Sequence, residues 1–265
     1  MNLQNPKKFK LLIDQAHEVA LNVLRPISRK YDKAEHAYPK ELDMLASVVD
    51  GMNAGGDGMN AGAAVNKRGD TASGNKNGVN MSTALSIVEM CYGDTGLLLS
   101  MPRQGLGNSA IAAVANDEQL QRFHGTWAAM AITEPGCGSD SAAIRTTAVA
   151  DGDDYILNGE KIFVTSGERA DAVVVWATLD KKLGRAAIKS FVVPKGTPGM
   201  TVERLEYKLG IKASDTAAIS FVDCRVPASN LLGNAEIDVS KGFAGVMETF
   251  DNTRPLVAAM AIGCA

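Results

Sequence analysis

Residues 155–167 read YILNGEKIFVTSG, two β-prone runs on either side of Asn158-Gly159. An Asn-Gly pair between such runs is the strongest short signal for a type I′ hairpin turn, which needs positive φ at both central residues. The spacing therefore predicts a hairpin centred on Asn158 and Gly159. Downstream, DAVVVWATLD (171–180), AIKSFVVP (187–194), MTVERLEY (200–207) and AAISFVDCRVP (217–227) repeat the pattern of short β-rich runs bounded by turn residues. Several strands at this spacing predict an antiparallel sandwich or barrel.

Helical patterning flanks this β region on both sides. Asn5 is a candidate N-cap with Pro6 at the first helical position, and Phe9, Leu12, Ile13, Ala16, Val19, Ala20 and Val23 form one apolar stripe. Pro26 is expected to end or kink that helix. A second helix follows Pro39 through Leu42, Leu45 and Val48, and others are expected from Ser82 and over 108–114. Between them, residues 50–80 are dense in Gly, Asn and Asp and carry DGMNAG twice, which predicts a mobile surface loop or a disordered segment rather than a repeat architecture. From about Val239 helical spacing returns in FDNTRPLVAAMAIGCA (250–265), with no stop signal before Ala265. The fold class is α+β. It is expected to comprise an N-terminal helical domain (1–126), a middle β domain (127–236) and the opening of a helical bundle (237–265) that is cut short.

Composition narrows the function classes. With 46% apolar and 22% charged residues, the chain reads as an ordinary globular protein. A formal net charge of −3 gives no electrostatic case for nucleic acid or an anionic membrane surface. The four cysteines, Cys91, Cys137, Cys224 and Cys264, form no C-x-x-C pair, so neither a metal site nor a disulfide framework is suggested. No window is apolar enough to span a bilayer, and MNLQNPKKFK is too polar for a secretory signal core. Reduced thiols and a cytoplasmic location are the plain expectation.

The chemically suggestive stretch is MAITEPGCGSDSA (130–142). Gly136 and Gly138 leave the backbone bare, so a planar or anionic ligand can come close to amide N–H groups, and Thr133 and Ser139 add hydroxyls. A Pro-Gly pair is equally what a tight turn uses. Cys137 has no cationic partner or helix N-terminus near it in sequence, so a bystander thiol is expected.

Its surroundings make the stretch specific. ITEPGCGSD (132–140), YILNGEKIFVTSG, LGIKASDTAAISFVDCRVPASNLLG (209–233) and GFAGVMETFDNTRP (242–255) follow one another in an order and spacing that resembles the acyl-CoA dehydrogenase family of flavoproteins. RPISRKYDKAEHAYPKEL (25–42) resembles the family's first helical hairpin, and NDEQLQRFHG (116–125) the segment entering the β domain. The resemblance implies FAD held between the β domain and the C-terminal helices. Met130, Ile132 and Thr133 would lie against the flavin ring, Gly138 and Ser139 would continue the cradle, Phe163 would pack on the isoalloxazine, and Val164 and Thr165 would face its reactive edge. Many relatives carry Trp where this chain has Phe163. Ser139, Asp251, Asn252, Thr253 and Arg254 would contact the acyl-CoA substrate, although Asp251 and Arg254 on their own also read as an exposed i,i+3 ion pair.

The implied reaction is α,β-dehydrogenation of an acyl-CoA thioester to a trans-2-enoyl-CoA, with electrons passed on to an electron-transferring flavoprotein. Alternatives within the resemblance are an acyl-CoA oxidase and a non-catalytic scaffold or partner subunit. A minority of the family carries its catalytic carboxylate at the position of Thr253; threonine is no base at neutral pH, so the base is expected beyond Ala265. Glu248 and Glu134 are the other carboxylates near the motifs. A homo-oligomer, tetramer or dimer, is expected at full length, or a second chain supplying the C-terminal domain. The chain as given is expected to retain FAD weakly or not at all and not to turn over.

Overall fold

The computed structural model describes residues 7–54, 79–103, 105–239 and 243–265. The candidate cap at Asn5 and Pro6 lies outside the described residues, as does the interior of the Gly/Asn-rich stretch.

Helices α1 (Lys10–Val19) and α2 (Arg25–Lys33) are joined without a break by a π-helical turn, Ala20–Leu24, in which the Arg25 N–H reaches back to the Ala20 carbonyl. Pro26 therefore does not end the helix. The widened turn shifts the hydrogen-bond register just before the residue that has no N–H to give. Helix α3 (Glu41–Ala54) runs past the expected loop start at residue 50, and α4 (Val79–Gly93) begins before Ser82. One glycine, Gly51, costs about 1 kcal/mol inside a helix, which leaves the helix intact. Short helices α5 (Thr95–Leu99), α6 (Leu106–Val114) and α7 (Asp117–Arg122) follow, the last opened by a reciprocal capping box between Asn116 and Gln119.

Seven strands come next: β1 (Ala128–Ala131), β2 (Thr147–Asp151), β3 (Asp154–Thr165), β4 (Ala172–Thr178), β5 (Ile188–Pro194), β6 (Met200–Leu205) and β7 (Thr216–Pro227). They form one curled sheet in the order β1-β4-β2-β3-β7-β6, with β5 on β4. Pairing is antiparallel except where β4 runs parallel to β1 and touches β2. All seven residues of β4 are buried. Val173, Val175 and Ala177 face an inner core with Phe191 and Phe221, while Ala172, Val174 and Trp176 face Ala110 and Ile111 of α6. Helix α8 (Ala244–Cys264) returns to the helical lobe, where Ala259 joins Leu42, Ile87 and Met90 in a third core. Among the described residues no helix is long and apolar enough to cross a membrane.

The predicted hairpin at Asn158-Gly159 is not there. The tight turn falls earlier, at Gly152 (φ 63°) between β2 and β3, and Asn158 and Gly159 lie inside the continuous strand β3. They form a bulge against β7, where the register shifts between Leu157 and Gly159. Glycine is required because its φ is 152° and a Cβ would lie 2.8 Å from Thr146 Cα. Asn158 uses its side chain as a bulge clamp, accepting the Asp223 N–H at 2.9 Å. Long-range pairing with β7 overrode a local turn signal.

Helical and β regions are tied by a buried ion pair. Arg169 Nε lies 3.3 Å from Asp215 Oδ1, with side chains 6% and 0% exposed. The guanidinium also donates to the carbonyls of Ala213 (2.8 Å) and Ala37 (3.0 Å) and to Ser100 Oγ (3.2 Å). One side chain thus gathers the α2–α3 connection, the end of α5 and the β6–β7 connection. Arg169→Met leaves Asp215 charged and unpaired and is expected to cost about 3–5 kcal/mol in urea unfolding; a cost within about 0.5 kcal/mol would mean the pair is idle.

Candidate cofactor site

A cavity of about 340 Å³ opens between the β1–β2 connection, the outer face of β3 and one face of α8. Leu106, Met130, Ile132 and Ile162 give it apolar walls, Thr133, Ser139, Ser141 and Thr165 supply hydroxyls, and Phe163, Phe250 and Arg254 close one side. Of the residues expected to hold a cofactor, Met130, Ile132, Thr133, Gly138, Ser139, Phe163 and Thr165 all line this one cavity. Val164 does not. Its side chain is 1% exposed and packs in the inner core with Ala217 and Ile219.

That division comes from a second bulge. Register with β7 slips between Lys161 and Val164, so both of those side chains point inward and the two residues between them are left on the cavity side. Phe163 sits at φ 56° and is 61% exposed. A bulky residue at positive φ costs roughly 1–3 kcal/mol, and such strain concentrates at functional sites. Gly136 and Gly138 tell a related story. A Cβ at either would meet nothing within 4 Å, so neither glycine serves packing within the chain. The open space beside Gly138 is the cavity itself.

Beneath the loop lies an arrangement that sequence reading missed. Glu134 is 7% exposed, and its carboxylate accepts from Lys161 Nζ (2.7 Å), Thr146 Oγ1 (2.6 Å), Thr146 N (2.9 Å) and Arg145 N (2.6 Å). Lys161 is wholly buried, and its ammonium also donates to the Ile132 carbonyl at 3.1 Å. Burial pushes Lys161 down to about 8, with Glu134 opposing. Burial pushes the Glu134 carboxyl up, yet the Lys161 ammonium and four donated hydrogen bonds outweigh it and hold the group below the ordinary carboxylate range. The lowered carboxyl keeps Glu134 ionised at neutral pH, and Lys161, though pushed down, stays above neutrality, so the two form an ion pair. Glu134 is therefore committed to structure and is no free base.

Substrate candidates divide. Arg254 lines the cavity, its guanidinium 5.1 Å from the Phe250 ring centre. Asp251 is exposed, and the side chain of Asn252 lies outside the described residues. Thr253 is buried and spends its hydroxyl on the Thr249 carbonyl at 3.1 Å. Glu248 is exposed on α8, and among the described residues none lining the cavity is a carboxylate. Burial pushes the Cys137 thiol up, with Glu134 adding to it, as befits a bystander.

Residues 129–224 match the family model described as acyl-CoA dehydrogenase, middle domain. Over the whole of this chain, a short-chain specific acyl-CoA dehydrogenase of Clostridium acetobutylicum is 33% identical, and the match covers 67% of that relative. The chain belongs to the acyl-CoA dehydrogenase family. An acryloyl-CoA reductase (NADH) of Anaerotignum propionicum is 45% identical over 143 residues, 53% of this chain and 35% of that one. The solved butyryl-CoA dehydrogenase of Megasphaera elsdenii superposes with a TM-score of 0.78 at 29% identity, over 99% of this chain and 67% of that chain. The α+β architecture is thus that of the acyl-CoA dehydrogenases. The chain spans about one third to two thirds of the length of these relatives.

The pH dependence of this family member's stability follows from Glu134. Because its folded carboxyl titrates below its unfolded one, the stability it contributes is present above the unfolded value, about 4.5, and is lost as pH falls through the folded one. Thermal melts of the wild type are expected to fall as the pH drops below about 4.5. Glu134→Gln is expected to lower the melting temperature at neutral pH and to flatten that acid limb; an unchanged limb would place the acid sensitivity elsewhere.

Proposed function

We propose that the cavity is the ring-binding half of an FAD site serving α,β-dehydrogenation of an acyl-CoA thioester. The observation that carries the reading is the convergence of one exposed, strained aromatic, an apolar floor and a row of hydroxyls on a single cleft. A flat heteroaromatic ring with one polar edge fits these walls. Phe163 would take its face, and Thr133, Ser139 and Thr165 its hydrogen-bonding edge. When bound, FAD supplies a two-electron acceptor for the hydrogen leaving the substrate's β-carbon as hydride.

The chain's own residues do the rest of the work assigned here. Met130, Ile132 and Ile162 exclude water from one side of the reacting region, which strengthens hydrogen bonds to a developing enolate. Arg254 gives a fixed cation for the carbonyls or phosphates of a CoA arm. The described residues lining the cavity include no carboxylate, so the base that removes the α-proton would come from another segment or another chain. Electrons would leave to an electron-transferring flavoprotein.

Titration with FAD, followed by quenching of flavin fluorescence, tests the site. Saturable quenching is expected, with Phe163→Ala weakening Kd about tenfold through lost stacking. Absence of saturable quenching, or the same Kd in the variant, contradicts the reading.

A further inference from the structure

A lysine with 0% exposure is an expensive way to fill a core. Buried ion pairs are often matched or bettered in stability by apolar residues of similar volume, so Lys161 asks for a role other than stability. Its surroundings suggest one. The ammonium donates to the Ile132 carbonyl and to the Glu134 carboxylate, and the neighbouring Ile162 N–H donates to the Thr133 carbonyl at 2.9 Å. Three successive residues of the loop, 132 to 134, are thus pinned by two successive residues of β3. Glu134 then grips the far end of the same loop at Arg145 and Thr146, closing the arc that carries Gly138 and Ser139.

The strand side is equally dependent. Lys161, opposite Ile219, is the last regularly paired residue of β3 before the bulge that turns Ile162 and Phe163 toward the cavity. A positive φ at Phe163 persists only where its neighbours over-determine it. On the loop side, the Lys161–Glu134 pair and the adjacent Ile162–Thr133 hydrogen bond are the directional bonds that hold the strand as it enters this bulge.

We infer that Lys161 is a positioning residue for the cofactor, setting from behind the cradle the separation between the Thr133–Ser139 arc and the Phe163 ring, with Glu134 as its obligatory partner. The inference rests on the flavin reading of the cavity. It assigns to the charge a geometric task that an apolar pair of equal bulk does not perform.

The test uses the 265-residue chain with Lys161→Met, Glu134→Gln and the double variant Glu134→Leu/Lys161→Met, each followed by thermal unfolding and by FAD titration. Lys161→Met is expected to lose stability because it strands a buried carboxylate. The double variant is expected to regain the wild-type melting temperature yet to bind FAD about tenfold more weakly, with an altered circular dichroism band from the bound flavin. A double variant that recovers both stability and FAD affinity shows Lys161 to be only a core residue and overturns the inference. Should the double variant not fold, Glu134→Gln, which keeps the shape and removes the charge, decides the matter. About threefold or greater weakening of FAD binding by folded Glu134→Gln supports the positioning role, and wild-type affinity overturns it. A wild type that binds no FAD overturns the flavin reading and this inference together, whereas equal binding by wild type and double variant overturns this inference alone.

Discussion

The contact between Glu134 and Lys161 is the constraint from which the cradle follows. An ammonium with no access to water must find acceptors within the protein, and here they are the Ile132 carbonyl and the Glu134 carboxylate. Meeting that demand brings the Gly-rich loop down onto β3. The carboxylate, for its part, can stay ionised only with several donors around it, and Lys161, Thr146 and Arg145 provide them. Desolvation thereby enforces geometry. A cradle assembled only from apolar contacts would have been free to slide by a rotamer or two.

A similar logic operates between the helical and β regions at Arg169. Its fork donates to carbonyls from two connections and to a hydroxyl at the end of α5, with the Asp215 carboxylate beside it as counter-charge. These segments are irregular backbone whose carbonyls have no ladder of their own to join. One guanidinium gathers them, and in doing so fixes how the helical region sits on the strands. Helix α6, which brings Leu106 to the cavity, gains its place through Asn108, whose amide donates to the Thr126 carbonyl at 2.6 Å and accepts the Ala128 N–H at 3.0 Å.

Much of this was legible in the residues. Periodicity alone separates helical from β-rich stretches, and the four ordered motifs carry the family and most of the cavity lining. What periodicity misread was the path of β3. Asn158-Gly159 signals a turn only if nothing distant competes, and here β7 supplies a longer ladder that absorbs the pair as a bulge. The second bulge hid the burial of Val164 for the same reason. Simple alternation places side chains by parity, and one slipped residue reverses the parity of everything after it. Glu134 was visible in the loop, but its partner lies 27 residues away and nothing local announces it. A lysine in an otherwise β-prone run was the signal available. Thr253 shows the converse. The sequence denied it the role of a base, and its hydroxyl is spent on its own helix.

The central claim is that a flavin ring lies against the Thr133–Ser139 arc and the Ile162–Thr165 bulge. Hydrogen–deuterium exchange with and without saturating FAD, read peptide by peptide, tests it most directly. The account predicts protection by FAD concentrated in 130–141 and 160–167, with the outer β6–β7 edge unchanged. Protection confined to other segments, or none at any FAD concentration, would contradict it.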